Sequence, residues 1–198
     1  MLHKKILLIC LLFFFISLVA WKKTSTTLWI INENSSLLVN GSTNVNKFSC
    51  AISHYDHTDT LQINQSNQNV ILTGSLDLNI ENFDCHNPMM THELRKTLKE
   101  KEFPMLHIKF LSLSDLPALC SSPKPITGLV EIQLAGTAKR YKVNYQISVD
   151  DKKFIHLVGS RDVNFSDFNL TPPKKLGGMV KSKDALSIVF SLKMKCIQ

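Results

Sequence analysis

The sequence predicts an all-β domain, a sandwich or a closed barrel, carrying one short helix. Three observations lead there. Several stretches alternate apolar and polar residues with a period of two, as half-buried strands require, because successive side chains point to opposite faces. A single segment, Asn87 to Lys99, repeats its apolar residues every four positions instead. Turn signals such as Asn32-Glu33-Asn34, Asn40-Gly41-Ser42, Gly136-Thr137 and Asp150-Asp151 punctuate the chain at close intervals.

The chain opens with an export signal. His3-Lys4-Lys5 precede an apolar run from Ile6 to Ile16, and Ser17-Leu18-Val19-Ala20 close it. The run is shorter than the roughly 20 residues of a bilayer span. Lys22 and Lys23 follow directly, however, and Leu18 suits a cleavage site poorly, so an uncleaved membrane anchor stays open. Cys10 is read as a buried residue of the signal. Residues 1–20 are thus signal or anchor, 21–26 a polar linker, and 27–198 the domain. Export places the domain in the periplasm or outside the cell.

Composition narrows the function. With 198 residues the chain holds about one domain, and its 44% hydrophobic and 20% charged residues are ordinary for a globular protein. The net charge of +7 falls to +5 without residues 1–20, which carry Lys4, Lys5 and no acid. The remaining Lys/Arg residues are scattered pairs, so no nucleic acid partner is expected, while contact with an anionic membrane surface is permitted. The four cysteines left after the signal, Cys50, Cys85, Cys120 and Cys196, are most simply two disulfides in an oxidising compartment. None stands close enough to another for a zinc site or a redox CxxC.

In chain order, weak strands fit Leu28 to Ile31, Leu37 to Gly41 and Phe48 to Tyr55. Val70 to Ile80 is the clearest strand, with Val70, Leu72, Gly74, Leu76, Leu78 and Ile80 on one face. The helix follows. Asn87 caps it, Pro88 takes its first position, and Met90, Leu94 and Leu98 form its apolar stripe, a core face that packs on the sheet or plugs a barrel mouth. Met89 and Met90, as flexible thioethers, also suit a ligand entrance. Strands resume at Leu106/Ile108/Phe110, Ile126 to Leu134, Tyr141 to Val149, Phe154 to Val163 and Leu186 to Met194. Asn169 to Gly178 reads as a surface loop.

Several segments resemble the YceI-like family of exported proteins. They are Trp29-Ile30-Ile31-Asn32, the strand from Ser36 to Gly41, and the helix with its exit, Met90 to Phe110, which includes Phe103-Pro104. Ile126-Thr127-Gly128-Leu129-Val130, Leu134 to Lys139, Gly159 to Phe168 and Leu176-Gly177-Gly178 continue the match. Two departures mark a divergent, cysteine-containing branch: Thr91-His92 replace an expected Arg-Asp pair, and Cys50 and Cys85 are present. The resemblance implies an eight-stranded, lipocalin-like antiparallel barrel whose relatives hold a polyisoprenoid or another amphiphile in a long apolar interior.

On that frame the inward faces nominate Ile52, Leu72, Leu76, Leu78, Phe110, Val130, Ile132, Tyr145, Phe154 and Phe190 as lining residues for a hydrophobic small molecule, an isoprenoid or fatty acyl chain, with Tyr145 supplying a polar tip. The alternative is that these side chains fill the barrel and that surface loops, chiefly Asn169 to Gly178, carry an interaction or envelope-stress function. Strand placement favours bridges Cys50–Cys85 and Cys120–Cys196. No enzyme is expected. His54 and His57 flank Asp56 at a spacing that points them to opposite faces of a strand. Cys85, His86 and His92 lack an oxyanion hole and an orienting acid, and no phosphate loop, HExxH or GxSxG occurs. No cofactor or metal is called for, and the oligomeric state stays open, a dimer included.

Overall fold

The computed structural model describes residues 25–66, 69–115 and 121–197. Residues 1–20, read above as signal or anchor, residues 21–24 and Cys120 lie outside the described residues. The strands run in the order β1 (Ser25–Ile31), β2 (Ser36–Thr43), β3 (Lys47–Ile52), β4 (Thr60–Ser66) and β5 (Asn69–Asn79), followed by helix α1 (Pro88–Thr97). After the helix come β6 (Met105–Leu113), β7 (Lys124–Leu134), β8 (Thr137–Val149), β9 (Phe154–Asn164), β10 (Lys174–Lys175) and β11 (Val180–Ile197).

All strand pairings are antiparallel. The sheet runs β1-β4-β5-β6-β7-β8-β9-β11, and β11 returns to pair with β1, which closes an eight-stranded barrel. The long β11 makes the closure because it serves two partners along one edge. Its residues from Ser182 to Ser191 pair with β2, and those from Met194 to Ile197 pair with β1. β1 and β2 therefore act as one strand broken at residues 32–35, and β3 and β4 act as its broken neighbour. The β4–β5 ladder ends at Thr73, and β3 is joined to the segment after β5 by an isolated bridge, Ala51 with Asp84, and by the disulfide Cys50–Cys85.

The period-two stretches became strands with the expected face inward. On β5, Val70, Leu72, Leu76 and Leu78 are buried while Ile71, Thr73 and Ser75 are exposed. The helix begins where expected: the Asn87 side chain accepts from the Met90 amide at 3.1 Å and Pro88 occupies the first turn. Leu94 and Leu98 of its stripe are buried against one end of the barrel, and Met90 is half-buried.

Four details depart from the sequence reading. β4 was not expected: Leu61 and Ile63 are buried in it, but Gln62, Asn64 and Gln65 hide the pattern. β3 stops at Ile52, and Tyr55 beyond it is buried from a loop. The expected loop at Asn169 to Gly178 contains β10, paired to β11 through Lys174–Lys181 and Lys175–Val180. Cys196 is a free thiol, opposite Trp29 in the β1–β11 register, rather than half of a bridge.

Candidate functional site: an apolar mouth beneath the helix

Most of the nominated lining residues lie inside the barrel, where they pack on one another. Ile52, Leu72, Leu76, Leu78, Phe110, Val130, Ile132, Tyr145 and Phe190 are all buried in one continuous core. Phe154 is the exception. Ile155 and Leu157 take the inward positions of β9, so Phe154 falls on the outer face, half-buried, with the Lys193 ammonium 4.4 Å from its ring centroid. The register partner of Lys195, it follows a turn fixed by Lys153 at φ 65° and by the Phe154 amide donating to Asp150.

The middle of the barrel is closed by an aromatic layer. Phe190 meets Phe110 at a ring separation of 6.2 Å and Tyr145 at 5.6 Å, both edge-on. Two glycines make room for the rings. A Cβ on Gly159 would lie 2.3 Å from the Phe190 ring, and one on Gly128 would lie 2.7 Å from that of Tyr145. What space is left beside Leu76, Leu78 and Phe190 measures ≈ 10 Å³, about enough for one water. The Tyr145 hydroxyl is buried and has no hydrogen-bond partner among the described residues. Burial pushes its phenol well above the ordinary tyrosine range, so it stays protonated at physiological pH.

Open apolar space lies at the helix end instead. A pocket of ≈ 40 Å³ sits beneath α1, walled by Leu94 and Leu98 of the helix, Leu37 and Val39 of β2, and Ile132 of β7. It shares Leu94 and Phe165 with an open groove of ≈ 290 Å³. That groove runs between α1, the β2–β3 hairpin and the start of β11, along Val45, Phe48, Met89, Met90 and Val180. Of the nominated residues only Ile132 borders the pocket, and Tyr145 lines neither space. Met89 and Met90, read as candidates for an entrance, do line the groove. Val45 had no periodic signal, since it belongs to a hairpin turn, and Phe48 was read as the start of a strand but not as a site residue.

The mouth is held open by the way its parts are anchored. Cys50–Cys85 ties β3 to the segment that leads into α1. Arg95 reaches back from the helix and donates to the Phe83 carbonyl at 2.9 Å. Helix and hairpin thereby both stand fixed as walls of the groove.

The histidines fall elsewhere. His54 and His57 border a polar cleft in the β3–β4 connection, where His57 meets Tyr55 edge-on and the Tyr55 hydroxyl donates to Asp59. His86 and His92 sit on a different surface, beside Asp84 and Arg95. Among the described residues no three His, Cys, Asp or Glu side chains gather as a metal site. Cys85 is held in its disulfide, so it is no nucleophile in this state.

Comparison with solved structures places the fold. BcnA of Burkholderia cenocepacia superposes with a TM-score of 0.61 at 13% identity, covering 80% of this chain and 95% of its own. A polyisoprenoid binding domain from Saccharophagus degradans, implicated in plant cell wall breakdown, gives 0.61 at 10% identity, covering 85% and 98%. No family model and no curated protein matches the chain by sequence.

Proposed function

We propose that this chain is a divergent YceI-like protein, exported and non-enzymatic, that carries the apolar tail of a lipid-like amphiphile such as an isoprenoid. The observation that carries the reading is the adjacency of the apolar pocket and the open groove, which share Leu94 and Phe165 as walls. The fold shared with a polyisoprenoid binding domain supports the ligand class. The Cys50–Cys85 bridge and the leading apolar segment support export. Among the described residues no helix is long and apolar enough to cross a membrane.

The groove receives the chain and the pocket receives its tip. Each methylene taken from water contributes roughly 0.8 kcal/mol, so a chain of several methylenes binds without any charged partner. Flexible Met89 and Met90 adapt to its contour. The aromatic layer below stops the tail from running the length of the barrel. It also favours a second reading, a filled barrel that acts through its surface loops.

Native mass spectrometry of protein purified without detergent, followed by organic extraction, separates the two. A stoichiometric apolar passenger is expected. Met90→Trp, at the groove wall, should abolish uptake while leaving the fold intact by circular dichroism. Leu76→Trp, in the barrel middle, should leave uptake unchanged in whatever fraction folds. Bare protein that stays empty with isoprenoid and fatty acyl lipids would overturn the carrier reading in favour of the filled barrel.

A further inference from the structure

The same end of the molecule gathers its most exposed apolar side chains. Among the described residues the large hydrophobics most open to solvent are Met179 at 74%, Val45 at 68% and Met89 at 67%; the next, Ile71, is at 46%. The first three come from three separate segments: the turn before β11, the β2–β3 turn and the first turn of α1. Two of those turns are clamped together by one side chain. Asn44 donates from Nδ2 to the Met179 carbonyl at 2.8 Å and accepts at Oδ1 from the Lys181 amide at 2.9 Å, while its own amide donates to the Lys181 carbonyl. Val45 and Met179 thus stand on adjacent tips, and Gly177 and Gly178, at φ 64° and 94°, make the bend that carries Met179 outward. Three such side chains grouped at one rim, with polar residues around them, have the character of an interaction surface.

Basic residues surround those tips. Lys47, Lys174, Lys181 and Lys183 are exposed on the strands and turns that form the mouth, and Lys181 and Lys183 alternate along β11 with Val180 and Ser182, which line the groove. Lys174 and Lys181 are direct register partners on β10 and β11. Two like charges facing each other across a strand pair are unfavourable by themselves and become favourable beside an anionic surface. Among the described residues none of these four lysines makes an ion pair. Of the nearby acids, Asp184 is engaged by the amide and hydroxyl of Ser166, and Glu93 lies along the groove, where it has a partner of its own.

We propose that this mouth docks on the surface of an anionic lipid bilayer, with Val45, Met179 and Met89 entering the acyl boundary and the lysines resting among the headgroups. Apolar tips inside a basic collar match the layering of such an interface, apolar below and negative above, and lysine stems allow the ammonium groups to stay at headgroup depth. Docking in this orientation places the groove against the membrane, so a tail passes between bilayer and protein without crossing water. The inference rests on the carrier reading for that purpose, but docking and uptake are separate readouts.

The test uses the full chain with a tryptophan placed at either end, Val45→Trp at the mouth or Ile71→Trp on the outer face near the other end. Vesicles contain phosphatidylglycerol and phosphatidylethanolamine with brominated acyl chains, with phosphatidylcholine vesicles as the neutral comparison. The added fluorescence at position 45 should be quenched by the anionic vesicles and that at position 71 should not, an orientation that a leader segment binding by itself does not produce. In the Val45→Trp background, Lys174→Glu with Lys181→Glu should weaken vesicle partitioning roughly tenfold or more at low salt. Equal quenching at both positions, no quenching at position 45, or partitioning insensitive to the lysine reversals would overturn the docking surface. Loss of docking with tail uptake intact rejects this proposal alone, and docking without uptake rejects the carrier reading alone.

Discussion

The middle of the barrel and its helix end are built from the same apolar residue types, yet one is closed and the other open. In the middle, large rings stand against glycines: Phe190 and Tyr145 occupy the volume that side chains on Gly159 and Gly128 would need. At the helix end, Leu94 and Leu98 reach over the rim residues Leu37, Val39 and Ile132 from a separate element, and the fit leaves a pocket of ≈ 40 Å³. Interlocking large and small residues on neighbouring strands fills space to interior density. A helix laid across a barrel rim meets a curved edge with a straight cylinder, and the mismatch leaves room at its sides. A binding space therefore arises where two kinds of element meet.

The largest effect should come from breaking the aromatic layer. Phe190→Ala removes a ring that touches two others and should cost about 4 kcal/mol in urea unfolding, whereas Leu94→Ala, beside existing space, should cost about 2. Equal losses would mean that the two regions are packed alike. Next comes the covalent anchor of the helix end. Cys50→Ser with Cys85→Ser should lower stability by about 3 kcal/mol, and reductant should bring the native protein toward the same value while leaving the variant unmoved.

Smaller still is the helix cap. Asn87→Ala should cost about 1 kcal/mol and speed amide exchange in α1 while β8 keeps its protection. Exchange that rises equally in both would show that the helix end does not open independently. The smallest effect belongs to the β8–β9 turn, remote from the mouth. A hydrogen bond from His156 at 2.9 Å, and the Phe154 amide, hold the Asp150 carboxyl below its ordinary range. A depressed carboxylate contributes stability above its unfolded pKa of about 3.9 and loses it as pH falls through the folded value. Asp150→Asn should thus lower the melting temperature slightly at pH 7, with the difference disappearing in strong acid. Uptake at the mouth should stay unchanged.

Much of the fold was legible because its signals are local. The period of two on β5, β7, β8 and β11, the Asn87-Pro88 start of α1 and the pairing of Cys50 with Cys85 are all expressed within short stretches or between adjacent elements. β4 was hidden because its outward residues are amides rather than strand formers, and its ladder bonds to β1 and β5 hold it in place. Phe154 was assigned to the wrong face by a single step, since strand phase at a turn depends on how the turn closes. Val45 and Met179 were invisible as site residues. Both lie in turns where no periodicity exists, and their meeting depends on Asn44 bridging residues more than a hundred positions apart.

By itself, the sequence determined which faces are apolar, where the helix begins, and that many strands share one core. Those follow from alternation, capping and the removal of apolar surface from water, each of which acts over a few residues. Only the tertiary structure decided that β11 closes the barrel by serving both β1 and β2, that rings against glycines seal its middle, and that the open space lies under the helix. Volume is a property of side chains brought together from distant positions. A list of inward-facing residues says which side chains meet in the interior, and their packing alone decides whether any room is left between them.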